Sequence, residues 1–203
     1  MENYVVCISR QFGSGGHEIG RKLADKLGVK FYDRELLTRI AKDSGMSEKL
    51  VSYYDELPSK SLLFSLAMDA YPMSFTEMPI NQKVYQAQVD TIKKIAENES
   101  CVIIGRCADS ILSDMNSVVS IFIHADMDTK LARVMEREGL DNDKAKDKII
   151  KTDKKRASFY NFYSVDKKWG EAFSHDLTLD SGKIGIDNCV ELLYNYLKLR
   201  GII

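Results

Sequence analysis

Apolar residues fall in short runs, and the stretches between several of these runs carry apolar positions at helical spacing. Tyr4 to Ser9 is rich in Val and Ile and is bounded by Arg10, Gln11 and a glycine cluster, the pattern of a buried parallel strand. Ile19, Leu23, Ala24 and Leu27 then recur at helical spacing, Gly28 closes the segment, and Val29 to Tyr32 begin a second strand. The chain therefore opens as strand, glycine loop, helix, strand.

From Asp33 to about Asn98 the pattern is mostly helical, in pieces around Leu36–Ala41, Ser47–Leu57, Ser59–Ala70 and about Asn81–Glu97. A break from Tyr71 to Pro79 separates the last two, because each proline there disfavours helix in the residue before it. Cys101–Ile104 reads as a strand ending in Gly105-Arg106, and Val118–Ile123 as another after a short helix. Asp128 is the expected N-cap of a helix Thr129–Glu138, which Gly139 ends. Between Asp141 and Gly170 the chain is highly charged and then aromatic, the pattern of an exposed helical arm. Asp176–Asp180 forms a last strand and Cys189–Leu199 a closing amphipathic helix. Strands alternating with helices imply an α/β fold with a mainly parallel sheet covered on both faces. The two excursions insert at the C-terminal edge of that sheet, where ligands of such folds bind.

A length of 203 residues suits a single domain carrying inserted arms. Lys and Arg number 29 against 30 Asp and Glu, so the basic excess of a constitutive nucleic-acid binder is missing. With 44% hydrophobic and 29% charged residues, disordered, collagenous and coiled-coil readings are poor fits. Cys7, Cys101, Cys107 and Cys189 form no CxxC pair, which favours reduced thiols over a disulfide or zinc site. The N-terminal apolar stretch is too short for a signal peptide, and no later run approaches the ~18 apolar residues of a membrane span. A cytoplasmic protein with no membrane and no nucleic-acid partner is expected; oligomeric state is left open.

The glycine cluster carries the first candidate chemistry. Gly13, Ser14, Gly15 and Gly16, followed by His17, lie between a strand and a helix, so their backbone N–H groups face outward at a helix N-terminus suited to phosphate. Compared with the pattern G-x-x-x-x-G-K-[ST], Gly16 stands where the lysine belongs, and the magnesium-binding Ser/Thr that should follow it is missing too. Arg10, His17, Arg21 and Lys22 are the nearby groups that could neutralise phosphate. Arg10 is favoured, because a residue leaving the strand tip can point into the loop.

The run ISRQFGSGGHEIGRKLADKLGVKFYDREL, with IIGRCADSIL, DKKRASFYNFY and WGEAF, resembles the cytidylate kinase-like family, relatives of the P-loop nucleoside monophosphate kinases. The resemblance spans nearly the whole chain. It implies a three-layer P-loop kinase-type fold with a parallel core sheet, a helical NMP-binding arm at about 34–98 and a lid at about 139–170. It also implies transfer of the ATP γ-phosphoryl to a nucleoside monophosphate such as CMP, with Mg²⁺ bridging the phosphates. By resemblance, Asp33 and Arg39 keep the spacing of D-S-G-A-x-Y-R, Gly105-Arg106 matches the G-R of D-G-R-D, and Asp153 with Arg156 matches the lid's D-x-x-R. Arg39 and Arg106 would then hold the acceptor phosphate, and Arg156 would close on the transferred group.

The chain departs from that pattern at Ile104 and Cys107, where D-G-R-D has its aspartates; Asp109, two residues on, is a candidate replacement. No metal ligand is assigned to a side chain, and His124 and His175 show no metal spacing. Phe159, Tyr160, Phe162, Tyr163 and Trp169 are expected to pack the lid against the body or a partner copy; stacking on a base or RNA is the alternative. The functional expectation is an ATP-dependent kinase with small-molecule nucleotide substrates. Its rivals are a nucleotide-binding module with little or no catalysis, motivated by the loop without GK[ST], and a kinase for a non-nucleotide acceptor.

Overall fold

A computed structural model describes residues 3–55 and 78–203. The expected helix at Ser59–Ala70 and most of the break from Tyr71 to Pro79 lie outside these residues. Five parallel strands, β1 (Val5–Arg10), β2 (Lys30–Tyr32), β3 (Cys101–Ile104), β4 (Val118–His124) and β5 (Leu177–Asp180), form one sheet in the order β2-β3-β1-β4-β5. The expected strands agree with these to within a residue or two. Central β1 is apolar at successive positions because both its faces are covered: Val5 and Cys7 join one cluster, Val6 and Ile8 the other.

Helices α1 (Gly16–Leu27) and α8 (Ile186–Leu199) cover one face, burying Ile19, Leu23, Leu193 and Leu197 against the sheet. The other face carries α2 (Arg34–Ser44), α3 (Glu48–Tyr54), α4 (Ile80–Asn98) and the short α5 (Ala108–Ile111), through Leu36, Ile40, Val51, Ile92 and Leu112. Each such side chain, taken fully out of water, contributes about 1.5–3 kcal/mol. None of the helices among the described residues is long and apolar enough to cross a membrane.

Helix α6 (Met127–Glu138) is capped by Asp126, whose carboxylate accepts from the Thr129 N–H and hydroxyl at 2.8 Å each. The expected cap, Asp128, is instead a residue of the first turn. Asp126 wins because an extended backbone at that position aims its side chain back at the third residue of the helix. Helix α7 (Asn142–Tyr163) is 22 residues long, about 33 Å, and touches two separate clusters. Ala145 and Ile149 pack with Val134 and Phe12, while Phe159 and Tyr160 pack with Cys107, Tyr85 and Trp169. Tyr85 of α4 stacks on Tyr163 with ring centroids 3.6 Å apart. The aromatic end of the expected lid thus packs on the body of the protein.

Beneath that end lies a buried polar knot. Asp109 accepts from the Tyr160 hydroxyl at 2.7 Å and from Ser120 Oγ at 2.9 Å, with Lys167 Nζ 3.6 Å away. Ser120 Oγ also meets His175 Nδ1 at 2.9 Å. With the single serine proton given to the carboxylate, His175 Nδ1 carries the proton that reaches Ser120, and its buried Nε2 has no hydrogen-bond partner among the described residues. Burial pushes the His175 pKa below 6.5; Lys167 acts in the same direction, against the opposing pull of Asp109 and Asp176. The folded chain favours the neutral ring, so this stability is complete above pH 6.5 and is lost as pH falls below that value. Thermal melts from about pH 7 to about pH 5 should show a loss of stability that His175→Gln diminishes; an identical pH dependence in the variant would remove His175 as its source.

Candidate active site

At the C-terminal edge of the sheet the glycine loop opens on a cavity of 1260 Å³. Gly13 and Gly15 adopt φ of +81° and +77°, which L side chains rarely tolerate, and this turns the loop sharply into α1. Gly16 is required for a different reason: a Cβ there would lie 2.6 Å from Arg10 Cβ and 3.2 Å from Ile123 Cβ. Position 16 therefore has no room for the lysine of the standard loop, and the stem of Arg10 occupies the space. Ser14 is fully buried beneath the loop; its Oγ donates to the Gln11 carbonyl at 2.8 Å and accepts a long contact from the Gly16 N–H at 3.4 Å.

The loop is tied to α6 and α7 by buried polar groups. Asp153, on α7, accepts the Phe12 N–H at 2.6 Å, and Lys130 Nζ lies 3.4 Å from its other oxygen and 3.2 Å from Gln11 Oε1. Burial raises the Asp153 carboxyl above the usual carboxylate value, while the Phe12 N–H, Lys130 and Arg156 draw it back down. Arg133 Nη1 donates to the Ser14 carbonyl and to Ser181 Oγ, both at 3.0 Å. Two helices far along the chain thus fix the backbone on either side of Gly13.

Cations gather above the loop. Arg10, Arg133, Arg137, Lys148 and Arg156 line the cavity with Glu136 and Glu138, and Arg156 Nη1 donates to the Arg10 carbonyl at 3.3 Å. Arg137, Arg156 and Lys148 stand 5.0, 5.7 and 5.7 Å from the centre of the Phe12 ring. The electron-rich ring face attracts each of them and offsets part of their mutual repulsion.

Of the residues singled out in the sequence, Arg10, Gly13, Gly15, Gly16, His17, Asp33 and Arg156 line the cavity together. Five others are placed elsewhere. Ser14 lies under the loop, and Asp153 braces the loop from behind. Arg39 pairs with Asp43 at 3.1 Å on α2, away from the cavity lining. Asp109 belongs to the knot beneath α7. Arg106 is buried, and its Nε and Nη2 meet the two oxygens of Asp55 at 2.9 and 3.2 Å, with Asp33 Oδ1 3.5 Å from Nη1.

Arg106 and Cys107 both have left-handed backbone, φ 54° and 55°, directly after Gly105 at 69°. The buried Gln88 amide donates to the Arg106 carbonyl at 2.9 Å and helps to hold this turn. Sequence reasoning missed Phe12, Asp55, Lys130, Arg133, Arg137 and Lys148. Lys130, Arg133 and Arg137 recur at positions i, i+3 and i+7, so a cationic stripe on one face of α6 was the available signal. Phe12 and Asp55 gave none. Among the described residues there is no group of three or more His, Cys, Asp or Glu placed to hold a metal ion.

Comparison with known proteins bears on this geometry. The family model for the cytidylate kinase-like family matches residues 5–183. No curated protein matches the chain. Among solved structures, an uncharacterized protein from Eubacterium ventriosum is 33% identical with a TM-score of 0.74, and the match covers 97% of this chain and 99% of that one. Shikimate kinase from Bacteroides thetaiotaomicron is 18% identical with a TM-score of 0.54, covering 96% and 98%. Shikimate kinase from Acinetobacter baumannii, solved in complex with shikimate, is 11% identical with a TM-score of 0.52, covering 98% and 94%. The two shikimate kinases share the α/β fold, with its parallel sheet covered by helices. Since the family match takes in all five strands and both helices that brace the loop, the chain belongs to the cytidylate kinase-like family.

Proposed function

We propose that this chain is an ATP-dependent phosphotransferase acting on a small molecule. The observation that supports it is the convergence of the glycine loop and the cations of β1, α6 and α7 on one cavity of 1260 Å³. That volume exceeds the roughly 300–1,000 Å³ of typical single-ligand sites and leaves room for donor and acceptor together. Phosphoryl transfer is mainly positioning and charge neutralisation, and the lining supplies both.

The residues present fit a triphosphate. The loop around Gly13 and Gly15, at the positive end of α1, would face it, with the Ser14 N–H held by the Gln11 carbonyl and the Gly16 N–H reaching Ser14 Oγ; Arg10 takes part of the role of the absent lysine, and Arg156 neutralises the transferred group. ATP would bring the γ-phosphoryl with Mg²⁺ between its oxygens. The direct ligands of that ion are not assigned to any side chain of the protein.

A nucleoside monophosphate such as CMP is the acceptor that family membership suggests. Its phosphate would draw on Arg39 and Arg106, each now held by a carboxylate. Those engagements favour a second reading, a kinase for a non-nucleotide acceptor. Purified protein with Mg-ATP and a panel of nucleoside monophosphates and other small acceptors tests both, read as acceptor-dependent ADP release. Tight ATP binding without turnover would instead support a binding module.

Two variants probe the donor side. Arg156→Ala should lower the turnover rate at least tenfold with little change in thermal stability; an unchanged rate would remove Arg156 from the transfer step. Gly16→Lys, which restores the standard residue, should weaken ATP binding and lower the melting temperature because the new Cβ meets Arg10. Tighter binding in that variant would refute the packing argument.

A further inference from the structure

Asp33 occupies the N-cap position of α2, where an aspartate ordinarily accepts an N–H from the first turn of its own helix. It makes no such bond. Its carboxylate, 20% exposed, turns into the cavity with Oδ2 3.2 Å from His17 Nε2 and Oδ1 3.5 Å from Arg106 Nη1. A cap bond worth about 1 kcal/mol is forgone for a contact across two elements. His17 follows Gly16 directly, so the pair opens beside the phosphate loop, and the imidazole is steadied edge-on against Phe31 with centroids 5.2 Å apart.

The cavity is polarised. The wall from α6 and α7 is mainly cationic, whereas the wall from α1, β2 and α2 sets Glu18, Asp33 and Glu35 against Arg21 and Arg34. A phosphate acceptor brought to that second wall would face three carboxylates and only two guanidinium groups, a surface less suited to an anion than the wall opposite. A hydroxyl acceptor carries no charge to repel, and it must lose a proton as it attacks. The carboxylate–imidazole pair is suited to receive that proton.

Resting on the phosphotransferase reading, we infer that the acceptor presents a hydroxyl group at this wall and that Asp33, oriented by His17, is its general base. In that step the acceptor O–H bond breaks and its proton passes to the Asp33 carboxylate. The acceptor oxygen forms a bond to the γ-phosphorus. The bond from that phosphorus to the bridging oxygen breaks, and the electron pair leaves with ADP.

The test uses the full chain with Mg-ATP and four probes: water, myo-inositol, cytidine and CMP. Products are identified by phosphorus NMR, which separates a phosphomonoester or inorganic phosphate from a diphosphate. ATP binding is measured separately by calorimetry. Turnover with a hydroxyl probe, water included, is expected. Asp33→Asn should reduce it about 100-fold or more with ATP affinity within twofold of wild type, and His17→Gln about tenfold. Asp33→Glu guards against a folding defect and should recover at least tenfold over the Asn variant. CDP formation from CMP at a rate that Asp33→Asn lowers less than tenfold would overturn the inference while leaving the phosphotransferase reading intact. Calorimetric binding of ATP with no transfer to any hydroxyl probe would also overturn it. Failure to bind ATP at all would overturn both.

Discussion

A single backbone N–H, that of Phe12, sets the geometry on which the site depends. Its acceptor is a carboxylate 141 residues further along the chain, Asp153 on α7. A charge-assisted bond of this kind is stronger than a neutral one, and here it is sheltered from water. With Arg133 holding the Ser14 carbonyl from α6, the loop between β1 and α1 is gripped at both ends. Its curl is thus maintained by helices that also carry the cations, so loop shape and local charge are set by the same elements.

This arrangement bears on the missing lysine. In the usual loop a side chain rising from the helix start supplies the charge. Here α1 packs so closely on the tip of β1 that no side chain can rise from position 16. Charge reaches the cavity from the strand below, through Arg10, and from the helices above, through Arg133, Arg137 and Arg156. The Phe12 ring lies beneath three of the cations and lets them gather.

The parallel sheet was legible in the sequence because strands buried on both faces are continuously apolar, and glycine boundaries marked where they end. The loop was legible for the same reason: few other residues tolerate φ near +80°. Arg39 and Asp109 show the limit of such reading. Motif spacing puts Arg39 near an acceptor and leaves Asp109, two residues off the pattern, as a replacement aspartate, but spacing carries no information about the competing partners, Asp43 for one and Tyr160 with Ser120 for the other. Asp55 and Phe12 had no readable signal, since their roles come from contacts with Arg106 and α7 that only tertiary packing creates. The Asp126 cap was displaced by two positions because Asp126 and Asp128 are equally good caps by residue type, and backbone direction decides between them.

The left-handed turn at Arg106 and Cys107 makes this corner of the fold unusually intolerant of change. Each non-glycine residue held there costs about 1–2 kcal/mol, which the surrounding contacts must outweigh. Glycine would suit the backbone at 106 but would leave Asp55 and Asp33 facing each other without their shared counterion. Lysine would keep the charge yet lose the planar fork that meets both oxygens of Asp55. Neither the residue best matched to the main chain nor the one best matched to the charge can stand in for arginine there.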